Sequence, residues 1–248
     1  MKDVFSLLIS FTPWTVSEIG PLVLEFINLW SQNPDREPLH LYRKNIPVSP
    51  ITLESVSANV KNYDSLYLKL KSSLKRDADV VDFHVVKPYP LMQEKYPDGV
   101  YGITSNITVN IALNKIGKKS GYYIEEFINL GKSFIKNKSV RRIDMDMDTK
   151  SMMTSGYYSK MQEIGKGRIW WVNTFAYFSS TEMKKQFDHV GGEEVYLSVC
   201  RKHHVQVEFS PEYHGYFLHM PFDFQDTPEL HEAVLAFNQD LYAKLIVE

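Results

Sequence analysis

The chain has 248 residues, 44% hydrophobic and 23% charged, and its 28 basic and 30 acidic side chains give a formal charge of -2. That length buries a sizeable core, the composition is far from disordered or collagenous extremes, and the charge offers no global positive field for nucleic acid phosphates. A single cysteine, Cys200, cannot form an internal disulfide, which fits a reducing compartment and a buried thiol.

Leu7, Ile9 and Phe11 alternate with Ser6, Leu8 and Ser10, the period-two pattern of a strand buried mainly on one face. The apolar stretch is too short for a signal peptide and no small-residue cleavage site follows it. No run approaches the roughly 20 apolar residues of a membrane span. A cytoplasmic protein is the expectation. After Ser17, a candidate N-cap, the residues Ile19, Leu22, Val23, Phe26 and Trp30 recur at helical spacing. Pro34 and Pro38 then mark a loop.

Leu53, Val56, Val60, Tyr63, Tyr67, Leu70 and Leu74 are spaced three and four apart, which predicts one amphipathic helix with Lys69, Lys71, Lys75 and Arg76 at its carbonyl end. Val80 to Val86 reads as the next strand. Pro88, Pro90, Pro97 and Gly99 make the region from Lys87 to Gly102 the best seam. Thr104 to Leu113 is another strand, and Ser120 opens another helix. Glu25-Phe26-Ile27-Asn28-Leu29 recurs as Glu126-Phe127-Ile128-Asn129-Leu130, a shift of 101 positions. Two readings follow: a single α+β domain over 1-248, or two pseudo-repeated βα halves at 1-98 and 99-248.

Beyond the repeat, Ile143, Met145 and Met147 alternate with Asp144, Asp146 and Asp148. In a strand the carboxylates form a solvent-facing row about 7 Å apart rather than converging on a metal. They are candidates for an acidic docking stripe. Ile169 to Phe178 reads as a central strand carrying Trp170 and Trp171, while Glu194 to Cys200 and Val205 to Phe209 read as a hairpin around Arg201 to His204. Gly215 to Met220 adds a strand. Thr227-Pro228-Glu229 starts a final helix bearing Leu230, Val234, Phe237, Leu241 and Leu245 on one face. The expected fold class is α+β, with antiparallel or mixed sheets and helices packed on one face.

Signals for chemistry are incomplete. Gly131-Lys132-Ser133 lacks the glycine five residues earlier that a phosphate loop needs, since Glu126 stands there. No histidine pair has the helical spacing of a zinc site, and Cys200 has no second thiol. No catalytic residue, metal or cofactor is assigned. Tyr157 and Tyr158, in a polar stretch from Thr149 to Gly167, join Asp144, Asp146 and Asp148 as candidate partner-binding residues, because exposed tyrosines often anchor interfaces.

At Arg168-Ile-Trp170-Trp171-Val-Asn173-Thr-Phe175, and again at Gly215-Tyr216-Phe217-Leu218-His219 followed by a terminal helix, the chain resembles a known family. It is similar to the immunity proteins of bacterial polymorphic toxin and type VI secretion systems, in particular those encoded beside restriction-endonuclease-fold toxins. The resemblance covers the N-terminal βα unit with Trp14, the aromatic strand around Trp171, and the last strand and helix with His231. It departs at Trp170, where the family pattern has glycine. The resemblance implies a non-enzymatic cytoplasmic protein that binds a cognate protein toxin, with no direct contact to nucleic acid or membrane. The alternatives are a small metal-dependent hydrolase using Asp144, Asp146 and Asp148, and a non-inhibitory interaction module.

Overall fold

The computed structural model describes residues 4–11, 16–34, 36–43, 46–60, 65–73, 79–86, 105–112, 120–137, 140–148, 172–221 and 228–246. Among them lie ten strands and six helices, and every strand pair of described register is antiparallel. The protein is of the α+β class. Two compact units divide the chain, one formed by Leu8–Ala112 and the other by Met1–Leu7 with Leu113–Glu248. The Pro-rich segment expected as a seam, residues 87–102, lies outside the described residues.

In the first unit the elements are the second half of β1 (Val4–Phe11), which the boundary cuts after Leu7, then α1 (Val16–Ser31), β2 (His40–Arg43), β3 (Ile46–Val48), α2 (Leu53–Val60), β4 (Ser65–Lys71), β5 (Val80–Val86) and β6 (Ser105–Ala112). Strand order is β3-β2-β4-β5-β6-β1. The helical stripe of α1 is buried at Leu22, Val23, Phe26 and Trp30. Phe26 meets the ring of Phe83 on β5 edge-on at 5.5 Å. The Trp30 indole donates to the Glu37 carbonyl at 3.1 Å, and Arg36 lies 4.2 Å over its ring, so a surface loop closes the helix end by a cation–π contact.

The long helix expected from Leu53 to Leu74 is not there. α2 ends at Val60 and β4 begins at Ser65. Leu66, Leu68 and Leu70 alternate with Tyr67, Lys69 and Lys71, a strand pattern that the three-four spacing overlaid. Pairing decides between the two periods: Leu70 faces Val81 in register, and Lys69 reaches Asp82 of β5 at 3.3 Å. The repeated pentapeptide lies in like local contexts. Glu25–Leu29 is on α1 after β1, Glu126–Leu130 is on the helix after β6, and the limits of β1 map onto those of β6 under the same shift of 101.

The second unit contains α3 (Ser120–Asn137), β7 (Val140–Asp148), β8 (Phe175–Ser179), α4 (Ser180–His189), α5 (Glu193–Lys202), β9 (Gln206–Ser210), β10 (Gly215–His219) and α6 (Pro228–Tyr242). Its strand order is β7-β8-β10-β9. On one sheet face Ala176, Phe178 and Leu218 pack with Met183 and Phe187 of α4, Tyr196 and Val199 of α5, and Val234 and Phe237 of α6. Burial of each large apolar side chain contributes about 1.5–3 kcal/mol. Buried Asn238 stitches α6 to the chain before β8, accepting from the Val172 amide at 2.9 Å and donating to the Val172 carbonyl at 2.8 Å. Asp240 accepts from Lys202 Nζ at 2.5 Å and contacts His203 Nε2 at 2.6 Å, fastening the end of α5 to α6.

Two expectations change here. Glu194 to Cys200, read as a strand, lies inside α5; Tyr196, Val199 and Cys200 are its buried stripe, and Glu193, Glu194, Arg201 and Lys202 sit at the ends the helix dipole favours. The hairpin is therefore β9–β10, turning at residues 211–214. The strand expected over Ile169 to Phe178 is β8, Phe175–Ser179, and Trp170 and Trp171 lie outside the described residues. α4 was not anticipated, although Ser179-Ser-Thr-Glu182 is a capping-box sequence and the Ser179 hydroxyl accepts from the Glu182 amide.

Close packing makes two glycines unequal. A Cβ at Gly215 would lie 2.5 Å from the Phe178 carbonyl oxygen and against the Tyr177 ring, whereas at Gly131 it would meet the end of the Ile143 side chain at 2.9 Å. Gly215→Ala should destabilise by about 1–3 kcal/mol, the cost of overpacking against backbone, and Gly131→Ala by clearly less. Urea unfolding of both variants checks the order.

Candidate functional site

β8 and β10 point alternate side chains to opposite faces. Since Ala176, Phe178 and Leu218 face the core, the pairs Phe175–His219 and Tyr177–Phe217 stand together on the other side. Phe175 and Phe217 have ring centroids 6.0 Å apart, Tyr177 and Phe217 5.2 Å, and Tyr213 of the hairpin turn meets Phe217 edge-on at 5.7 Å. Lys132 of α3 sits above this floor, 5.4 Å from the Phe217 ring centre and 5.8 Å from that of Tyr213. Between helix and sheet lies a cleft of about 660 Å³, rimmed by Glu208 and Gln206 of β9 and by Glu212 of the turn.

The turn is held rigidly enough to define that rim. Tyr177 donates its hydroxyl proton to the Tyr213 carbonyl at 2.8 Å, and burial pushes its phenol up to about 12, so it stays a donor across the physiological range. The His214 carbonyl accepts from both the amide and the hydroxyl of Ser180, at 3.0 and 2.8 Å. His214 itself has φ 50°, the left-handed conformation that closes tight turns. At the sheet margin β9 has one described neighbour, β10. On its reverse face Phe209 is 50% exposed and packs against Tyr216 at 5.0 Å.

The carboxylate row expected on β7 does not face solvent at its first member. Asp144 is 3% exposed and forms an ion pair with Arg142 two residues earlier on the same face. Its register partner is Ala176, and that of Arg142 is Phe178, whose ring lies 5.6 Å beneath the guanidinium. Alternation placed these side chains on the face opposite Ile143 and Met145, but here both faces of β7 are covered and residues 140–145 are all buried. Asp144 thus offers no surface to a partner. Asp146 and Asp148 lie on β7, their side chains outside the described residues, as are Tyr157 and Tyr158.

Nearby, the Tyr196 hydroxyl is buried with no hydrogen-bond partner among the described residues. Cys200 is buried, and burial pushes its thiol up to about 12, leaving it a poor nucleophile. Among the described residues no three His, Cys, Asp or Glu side chains group to hold a metal ion, and no helix is long and apolar enough to cross a membrane. Gly131, Lys132 and Ser133 lie within α3. There Gly131 admits close approach of Ile143 and the Ser133 hydroxyl donates back to the Asn129 carbonyl at 2.9 Å. The aromatic cleft escaped sequence reading, although the alternation of Phe175, Tyr177, Phe217 and His219 was present as a signal.

Burial holds the Asp144 carboxyl above its usual value near 3.8, with Arg142 pulling the other way. A raised folded-state value means that the native state holds the proton more tightly than the unfolded chain. Stability from this group is full below the usual value and falls as pH rises from there through the raised value. Relative to Asp144→Asn, the wild type should lose stability as pH rises above about 4 and through the raised value. Urea midpoints for both proteins across that window test it, and a pH-independent difference would contradict it.

The chain matches no family model, and no curated protein matches it in sequence. Among solved structures it is similar to a Pseudomonas aeruginosa T6SS protein, PA0821, at a TM-score of 0.54 and 12% identity, over 96% of this chain and 73% of that one. At that identity the likeness is one of fold, and it extends over nearly the whole α+β chain.

Proposed function

We propose that the protein is an immunity protein that binds and neutralises a cognate secreted toxin, with a nuclease as the expected class of target. The observation that carries the reading is the fold shared with a T6SS protein over 96% of the chain, which agrees in system with the resemblance drawn from Trp171, the Gly215 to His219 strand and the terminal helix. The aromatic cleft, in which half-buried Phe217 and Tyr213 stand beside exposed Gln206 and Glu208, supports it in kind. Aromatic side chains on a rigid sheet supply contact area at little entropic cost, as protein interfaces require. In this reading inhibition is a binding event, and no residue of the chain performs chemistry.

The test is co-expression with the protein encoded beside this one. If that neighbour arrests growth when expressed alone, the chain should restore growth, and the two should elute as one complex. Growth arrest that persists despite soluble expression of the chain, with no complex formed, would reject the proposal.

A further inference from the structure

We infer that the margin of β9 takes an extended partner segment in which arginines alternate with apolar residues, added as a further strand beside β9. This deepens the proposed function and rests on it for the partner's biological identity. Three observations carry the inference.

β9 ends the strand order, with β10 as its described neighbour, so its second edge can extend the ladder through main-chain hydrogen bonds. Its two faces also differ. Glu208 and Gln206 are exposed on the cleft side, Phe217 standing behind Glu208 in register, while Val207 and half-exposed Phe209 lie on the reverse. An added strand alternates its side chains in the same way. Those meeting Phe209 must be apolar, and those meeting Glu208 must carry positive charge.

The charge is the third observation. Among the described residues the cleft brings together Glu208, Glu212 and Lys132; Glu208 is exposed, and Lys132 is already engaged over Tyr213 and Phe217. No ion pair to Glu208 occurs among the described residues. A guanidinium there would pair with the carboxylate and lie against aromatic rings, a combination that suits arginine better than lysine. A toxin that grips phosphates carries such side chains, and covering them would block its substrate.

The probe is a capped peptide of about seven residues alternating Arg and Val, titrated into the full chain at about 50 and about 300 mM salt. It should bind, more weakly at high salt. Glu208→Gln should weaken it about tenfold, while Glu194→Gln on α5 should leave it unchanged. A peptide with Glu in place of Arg, and one N-methylated at alternate residues, should fail to bind. Equal binding of the Glu peptide would overturn the charge argument, and equal binding of the methylated peptide would overturn strand addition. Doubling of mass that Glu208→Lys abolishes would assign the β9 edge to a second copy and overturn the inference. If the chain neutralises its neighbour but does not bind the Arg-Val peptide, the inference falls and the immunity reading stands. Peptide binding without neutralisation supports the surface and removes the immunity reading.

Discussion

Gly215 approaches Tyr177 and the Phe178 carbonyl more closely than any side chain would allow, and the C-terminal unit is built around that contact. With β10 drawn against β8, Phe217 falls beside Tyr177, and the Tyr177 hydroxyl reaches the Tyr213 carbonyl in the turn. Ser180, at the start of α4, then binds the His214 carbonyl through both its amide and its hydroxyl. One close approach thereby fixes the hairpin, the corner from β8 into α4, and the rim of the aromatic cleft. Each group is satisfied by a partner that the same register supplies, so the turn holds without an apolar core of its own.

The two faces of this sheet segment make different use of polar groups. On the covered face Arg142 and Asp144 meet between β7 and the helices that pack on Phe178. A buried ion pair is weak evidence for net stability, because desolvation offsets most of the attraction. Its effect on register is clearer. Slipping β7 by one residue would send both charges to the α3 side and Ile143 to the helical core. On the open face the charges stay at the margin, with Glu208 and Glu212 around rings that Lys132 partly caps. Aromatic area in the middle and charge at the rim is the ordinary anatomy of a protein interface.

Binding through such a face needs little rearrangement. The rings are held by strands, the turn by main-chain carbonyls with side-chain donors, and the helix ends by the Asp240 contacts, so an arriving partner would order few of these groups. A preorganised surface loses less entropy on association and turns more of its contact area into affinity. That property suits a protein whose proposed task is to hold a toxin shut.

From the residues alone the α+β class was legible, as were the strand Val80–Val86, the strands read over Thr104 to Leu113 and Gly215 to Met220, and the helices opening at Ser120 and Pro228, because in these segments one period dominates. It failed where two periods overlapped. Leu66 to Leu70 alternates inside a helical stripe, and Glu194 to Cys200 is apolar enough to pass for a strand; strand pairing settled the first and core packing the second. Position along β7 told which side chains share a face with Asp144, but alternation says nothing about what covers each face. Packing settled it, when Phe178 and the helices above it enclosed Arg142 and Asp144 as a pair. The same packing buried Phe175 and left Phe217 half-buried beside Lys132 of α3, for the physical reason that exposure belongs to the neighbours a side chain acquires, and those come from distant parts of the chain.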